Sequence, residues 1–295
     1  MEILVHDRTP EVKMRQRRLF AVFAFLSTGA YSQWLNFATP GIPRTPDGKP
    51  NLSARTPRTA DGKPDLSGVW MHELTSVAEM KRLYGSLIDD AIATQVPGME
   101  IGTQHKYAFN ILIDFKPEES PLRSEAAELL RQRAANRNPA RVCTDPPGFP
   151  LAGLLSEPIK IIQSPRETVV LYETGDLHRQ IFADGRTLPK EFDLPAYLGY
   201  SAGHWENDVF VVETAGFNDK TVLDAFGHPH SEDLHVTERF HRSDFGHMEV
   251  EMTFNDPKMY TKPFTIRVPH NLLADADLFE MFCENEKDSV HMQAK

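Results

Sequence analysis

Cysteine is scarce in this chain of 295 residues: there are two, Cys143 and Cys283. That count excludes a cysteine-dense scaffold and any Cys-x-x-Cys redox or metal motif. In an exported protein a small even number predicts a disulfide between them. Closing a loop of that length stabilises by about 4–5 kcal/mol in the chain-entropy picture.

Dense runs of Lys and Arg are also missing, and the formal net charge is -10. Nucleic acid is therefore not an expected partner, because phosphate neutralisation needs clustered cations. The apolar run at residues 19–26 (LFAVFAFL) is far short of the roughly 20 residues that cross a bilayer, so no membrane span is expected. The chain has no Gly-x-Ser-x-Gly elbow, Walker loop, dinucleotide fingerprint or His-Glu-x-x-His helix. Those chemistries start without support.

What is present begins with an address. Arg15, Arg17 and Arg18 precede the apolar run, and Ala30 and Ser32 supply small residues before Gln33. The order predicts a signal peptide over residues 1–32, with Met14 as the true start, and a periplasmic or extracellular location. Residues 33–67 then read as a Pro/Gly-rich arm. Within it PRTPDGKPNLS (43–53) recurs as PRTADGKPDLS (57–67). Asp-Gly turns and prolines predict an extended segment, and the first copy reads as a redundant slip.

Residues 68–295 read as one β-rich domain. Helical spacing at 76–84 and 87–94, with Ser120-Pro121 opening a helix over 122–137, predicts a helical insertion at about 75–137. From Pro158 onward short alternating runs predict antiparallel strands at 160–163, 168–173, 179–182, 199–205, 209–214, 234–242, 248–254, 264–268 and 278–283. Successive strands with short turns predict an antiparallel meander closing into a barrel. Gly68-Val69-Trp70 resembles the Gly-x-Trp opening of lipocalin-like (calycin) barrels, which implies a Trp plugging one barrel end.

Four stretches, PRTADGKPDLSGVW, RQIFADGR, GYSAGHWENDVFVVETAGFND and HPHSEDLHVTERFHRSDFGHMEVEMTFNDPKMYTKPFT, carry a wider resemblance. Together they are similar to a group of exported bacterial proteins. The resemblance implies export, one β-rich domain and these boundaries, and brings no reaction with it.

Chemistry-bearing residues gather in 199–242. Val236, Glu238 and Phe240 share one strand face, so an inward Val236 carries the Glu238 carboxylate with it. Such a group needs a partner: Arg267, Tyr200 or a metal. Glu213, beside Val209 and Val211, is read as inward in the same way. With His230 these carboxylates form a candidate acid–base set; the competing reading is a structural Glu–Arg pair. His228, His230, Glu232 and His235 form a candidate site for a divalent metal, against turn histidines that cap backbone groups. Asn218, Asp219 and Asp224 shape the same mouth. Tyr200, His204, Trp205, Phe240 and Met252 are candidate ligand contacts.

The leading reading is an exported lipocalin-like barrel holding a small apolar or aromatic molecule. The alternatives are a hydrolase or lyase using Glu213, Glu238 and His230, and an envelope interaction protein docking through its arm.

Overall fold

The computed structural model describes residues 38–86, 105–135 and 146–279. The expected signal peptide, the helix read over 87–94 and both cysteines lie outside the described residues.

Nine strands follow one another around a closed barrel. They are β1 Gly68–His72, β2 Ile159–Gln163, β3 Glu167–Tyr172, β4 Leu177–Phe182, β5 Tyr200–Glu206, β6 Val209–Ala215, β7 His235–Arg242, β8 His247–Asn255 and β9 Phe264–Leu272. The purely antiparallel meander is corrected at one joint. β4 and β5 pair in parallel, Ile181 opposite Ser201 and Phe182 opposite Ala202. The reason is parity: a closed ring with an odd number of strands cannot alternate direction throughout. The connection through residues 183–199 carries the chain back so that β5 can run beside β4. A final strand over 278–283 is also corrected where it can be seen, since Leu278 and Phe279 lie outside any strand.

Period-two patterning sets the faces. In β8, Met248, Val250, Met252 and Phe254 are buried and alternate with Glu249, Glu251 and Thr253. Trp70, Phe210, Phe254, Val236 and Val268 are buried to 1% exposure or less, so side chains fill the lumen. At one end Trp70 donates from Nε1 to Leu66 O at 2.9 Å, and the Arg242 guanidinium lies 4.8 Å over its ring. Arg242 also donates to the carbonyls of Asp65 and Phe245.

The helices lie between β1 and β2. Helix α1 (Val77–Tyr84) is capped by Ser76 Oγ, which accepts from Glu79 N at 3.2 Å. Helix α2 is Lys106–Phe109, and α3 is Ser124–Ala135. The last begins later than Ser120-Pro121 predicts. Leu122 instead bridges to Tyr260, with Arg123 N donating to Met259 O at 2.9 Å. That backbone pairing keeps the segment extended and ties α3 to the β8–β9 connection.

The tandem repeat folds, which corrects its reading as an extended arm with an idle first copy. Each copy makes the same turn, Arg44 bridging Pro50 and Arg58 bridging Pro64. Gly48 and Gly62 take φ near +80°, a backbone region that side-chain-bearing residues avoid. Each copy then docks separately. Arg44 forks onto Asp275, and Arg58 forks onto Asp208 at 2.8 and 2.7 Å. The first copy and the residue after it also accept backbone bonds from the β7–β8 turn, Gly246 N to Leu52 O at 2.7 Å and Phe245 N to Ala54 O at 2.8 Å.

Candidate functional site

The acid–base set does not assemble. Glu238 points inward as its strand phase predicts, and its partner is Arg179 from β4. Arg179 Nη1 donates to Glu238 Oε1 at 3.1 Å, and its second fork arm reaches Oε2. Arg179 Nε donates to Ser201 Oγ at 2.9 Å, and Nη2 to Thr214 Oγ1 at 2.7 Å. Both charged side chains are 2% exposed. Burial alone would lower the Arg179 pKa, and Glu238 and Tyr172 together, through charge and hydrogen bonds, outweigh it and leave Arg179 above its ordinary value. This is a buried structural ion pair, each charge held by the other and Arg179 further held by Ser201 and Thr214.

Glu213 is corrected: it lies on the outer face, half exposed, with Oε2 2.9 Å from His235 Nε2. The inward set on β6 is Phe210, Val212 and Thr214, because Thr214 opposes Ser201 and Val212 opposes Glu238. His230 lies in the β6–β7 loop, and its ring meets Thr221 Oγ1 and Ser231 O rather than either carboxylate.

Of the ligand candidates, Phe240 and Met252 face the lumen, and Trp205 stacks on Phe210 with centroids 5.0 Å apart. Tyr200 and His204 face outward. Tyr200 Oη accepts from Arg186 at 3.1 Å, and the His204 ring meets Glu206 at 3.4 Å.

The histidines at 228–235 take separate partners. His228 Nδ1 meets Asp224 Oδ2 at 2.6 Å, and His230 Nε2 meets Thr221 Oγ1 at 2.8 Å. Among the described residues no three His, Cys, Asp or Glu side chains are grouped to hold a metal ion. Of these rings His230 meets a backbone group, its Nδ1 lying 3.3 Å from Ser231 O, whereas at His228 it is Asp224 that caps the turn, its Oδ1 accepting from Gly227 N and His228 N.

What the rim does contain is a cavity of about 200 Å³ between the β6–β7 loop, the β8–β9 connection and helix α3. His230, Ser231, Glu232 and Asp219 come from the first, Lys258 and Met259 from the second, and Leu129 and Arg133 from the third. Its walls are cross-tied. Asp256 accepts from Ser231 N at 2.6 Å, Ser231 Oγ at 2.9 Å and Lys258 N at 3.1 Å. Tyr260 Oη donates to Pro229 O at 2.9 Å. Burial lowers the His230 pKa, so the ring is neutral at neutral pH. Arg133 Nη1 is buried without a hydrogen-bond partner among the described residues.

Sequence reasoning reached His230, Glu232 and Asp219 from histidine density and loop position. It missed Arg133, Leu129, Lys258 and Met259, which arrive from distant parts of the chain and carry no local motif. It also missed a second cluster. His72 and His270 are register partners on β1 and β9, and His105 packs edge-on to His72 with centroids 5.8 Å apart. All three are at most 5% exposed.

No helix among the described residues is long and apolar enough to cross a membrane. Compared with known proteins, the chain matches no family model, no curated protein and no solved structure.

Proposed function

We propose that this protein is an exported β-barrel that binds a small molecule at the rim cavity, outside the lumen. The observation that carries the reading is the cavity itself, an open recess lined by three separate chain segments, two of them cross-tied through Asp256 and Tyr260. A recess built on backbone ties is pre-organised, which lowers the ordering cost of binding. The filled lumen supports the same choice, since the apolar guest first expected there would compete with Trp70, Phe210 and Phe254 for space. Leu129 and Met259 keep an apolar wall in the rim cavity, and its volume, below the roughly 300 Å³ at which drug-sized sites begin, suits a small ligand.

The test is a fragment screen by thermal shift and ligand-observed NMR on the wild type, Leu129→Trp and Phe240→Ala. Fragments should bind the wild type and Phe240→Ala, and be lost when the Trp fills the cavity. Binding that survives Leu129→Trp but disappears in Phe240→Ala would return the ligand to the lumen.

A further inference from the structure

We propose that the rim cavity takes the carboxylate of a small organic acid, with the Arg133 guanidinium as its anchor. The proposal rests on the reading of the cavity as a ligand site and adds the chemistry of the ligand. Helix α3 carries Leu129 and Arg133 four residues apart, which places them one turn apart on the same face, toward the cavity. Elsewhere the interior guanidinium is fully engaged: Arg179 uses Nε, Nη1 and Nη2 on Ser201, Thr214 and Glu238. Arg133 Nη1 is the exception, the only buried side-chain nitrogen or oxygen among the described residues that lacks a partner. A buried charged donor without an acceptor is costly, so the missing element is an acceptor.

The other groups in the wall that could donate to an anion are already engaged. His230 Nε2 is held by Thr221, Ser231 by Asp256, and Lys258 Nζ by Asp233 at 3.0 Å. Burial lowers the Arg133 pKa, with the Asp219 charge acting against it; an incoming anion would relieve that cost. The charge balance selects the anion. Asp219 and Glu232 line the same recess, so a dianionic phosphate meets more repulsion than a singly charged carboxylate. Leu129 and Met259 then face the hydrocarbon part of the acid.

Calorimetric titration of the full chain with benzoate, benzamide and phenyl phosphate tests this. Benzoate should bind about tenfold more tightly than benzamide, as one charge-assisted hydrogen bond provides. Arg133→Met should erase that preference, so that the variant binds benzoate no more tightly than benzamide. Equal binding of benzoate and benzamide by the wild type would overturn the carboxylate assignment and leave the rim site standing. Tighter binding of phenyl phosphate would overturn it too, as would a benzoate preference that persists in Arg133→Met. Absence of all binding would overturn both readings. If Arg133→Met fails to fold, the Arg133 guanidinium NMR resonances of the wild type decide: they should move with benzoate and stay still with benzamide, and no movement with benzoate sinks the proposal.

Discussion

Arg179 and Glu238 meet across the barrel lumen, one from β4 and the other from β7, strands that do not neighbour each other in the ring. The pair cross-braces the wall, and Arg179 also donates to Ser201 and Thr214.

Removing one partner leaves a buried charge alone. Glu238→Leu or Arg179→Met should each cost about 3–5 kcal/mol, whereas the double replacement should recover most of the loss. Urea unfolding of the two single variants and the double variant measures the coupling. Additive losses would mean that the two charges act independently.

The histidine cluster gives stability a pH dependence. Burial holds His105 down to about 3 and His270 down to about 4, and lowers His72, with His105 and His270 also repelled by a neighbouring imidazolium. In the unfolded chain these rings titrate near 6.5. Above that pH neither state binds the protons, and stability is at its full value. Below it only the unfolded state does, so stability falls as pH drops toward the folded values. Lys106 beside His105 adds to the effect, while Glu157 near His72 opposes it. Between pH 7 and 5 each fully buried ring should cost on the order of 2 kcal/mol. His270→Leu should flatten the measured slope of unfolding free energy by that amount, and an unchanged slope would assign the dependence elsewhere.

Asp256 holds the walls of the rim cavity together. Asp256→Ala strands the Ser231 amide and hydroxyl as buried donors and should cost about 2–3 kcal/mol. Fragment binding should weaken together with the melting temperature. An Asp256→Ala protein that melts normally and binds normally would remove the cross-tie from the account.

The first repeat should be protected because it is docked. A Cβ at Gly246 would run into Leu52, side chain and backbone alike. Gly246→Val should therefore expose residues 43–56 to limited proteolysis while the barrel core stays resistant. Equal cleavage in wild type and variant would show that the segment is loose in both.

Much of this architecture was legible in the chain. Clean alternation in β8 fixed its phase, and Val236 with Phe240 correctly carried Glu238 inward. The phase of β6 was not legible, because Val211 and Val212 are both at most 3% exposed although they point to opposite faces. A strand apolar on both sides gives no parity signal, so Glu213 was assigned to the wrong face. The partner of Glu238 lies 59 positions away, beyond any local pattern. Arg133 was hidden for a similar reason: a helix rich in Ala, Leu and Arg does not say which of its arginines faces a cavity. The repeat was visible as a pattern, yet its docking depends on Asp208 and Asp275, which no turn rule selects.

The clasp between Arg44 and Asp275 spans 231 positions, and Thr39 N joins it by donating to Asp275 Oδ1 at 2.7 Å. On its own such a contact would carry a large loop-closure cost. Here the pairing of Trp70 with Leu272 has already drawn the two chain ends together. Closure cost grows only logarithmically with length, so once β1 meets β9 the clasp adds little further entropic burden. Its two sides are therefore brought together by the closed ring, and a label on residue 44 or 275 would report whether the ring is closed.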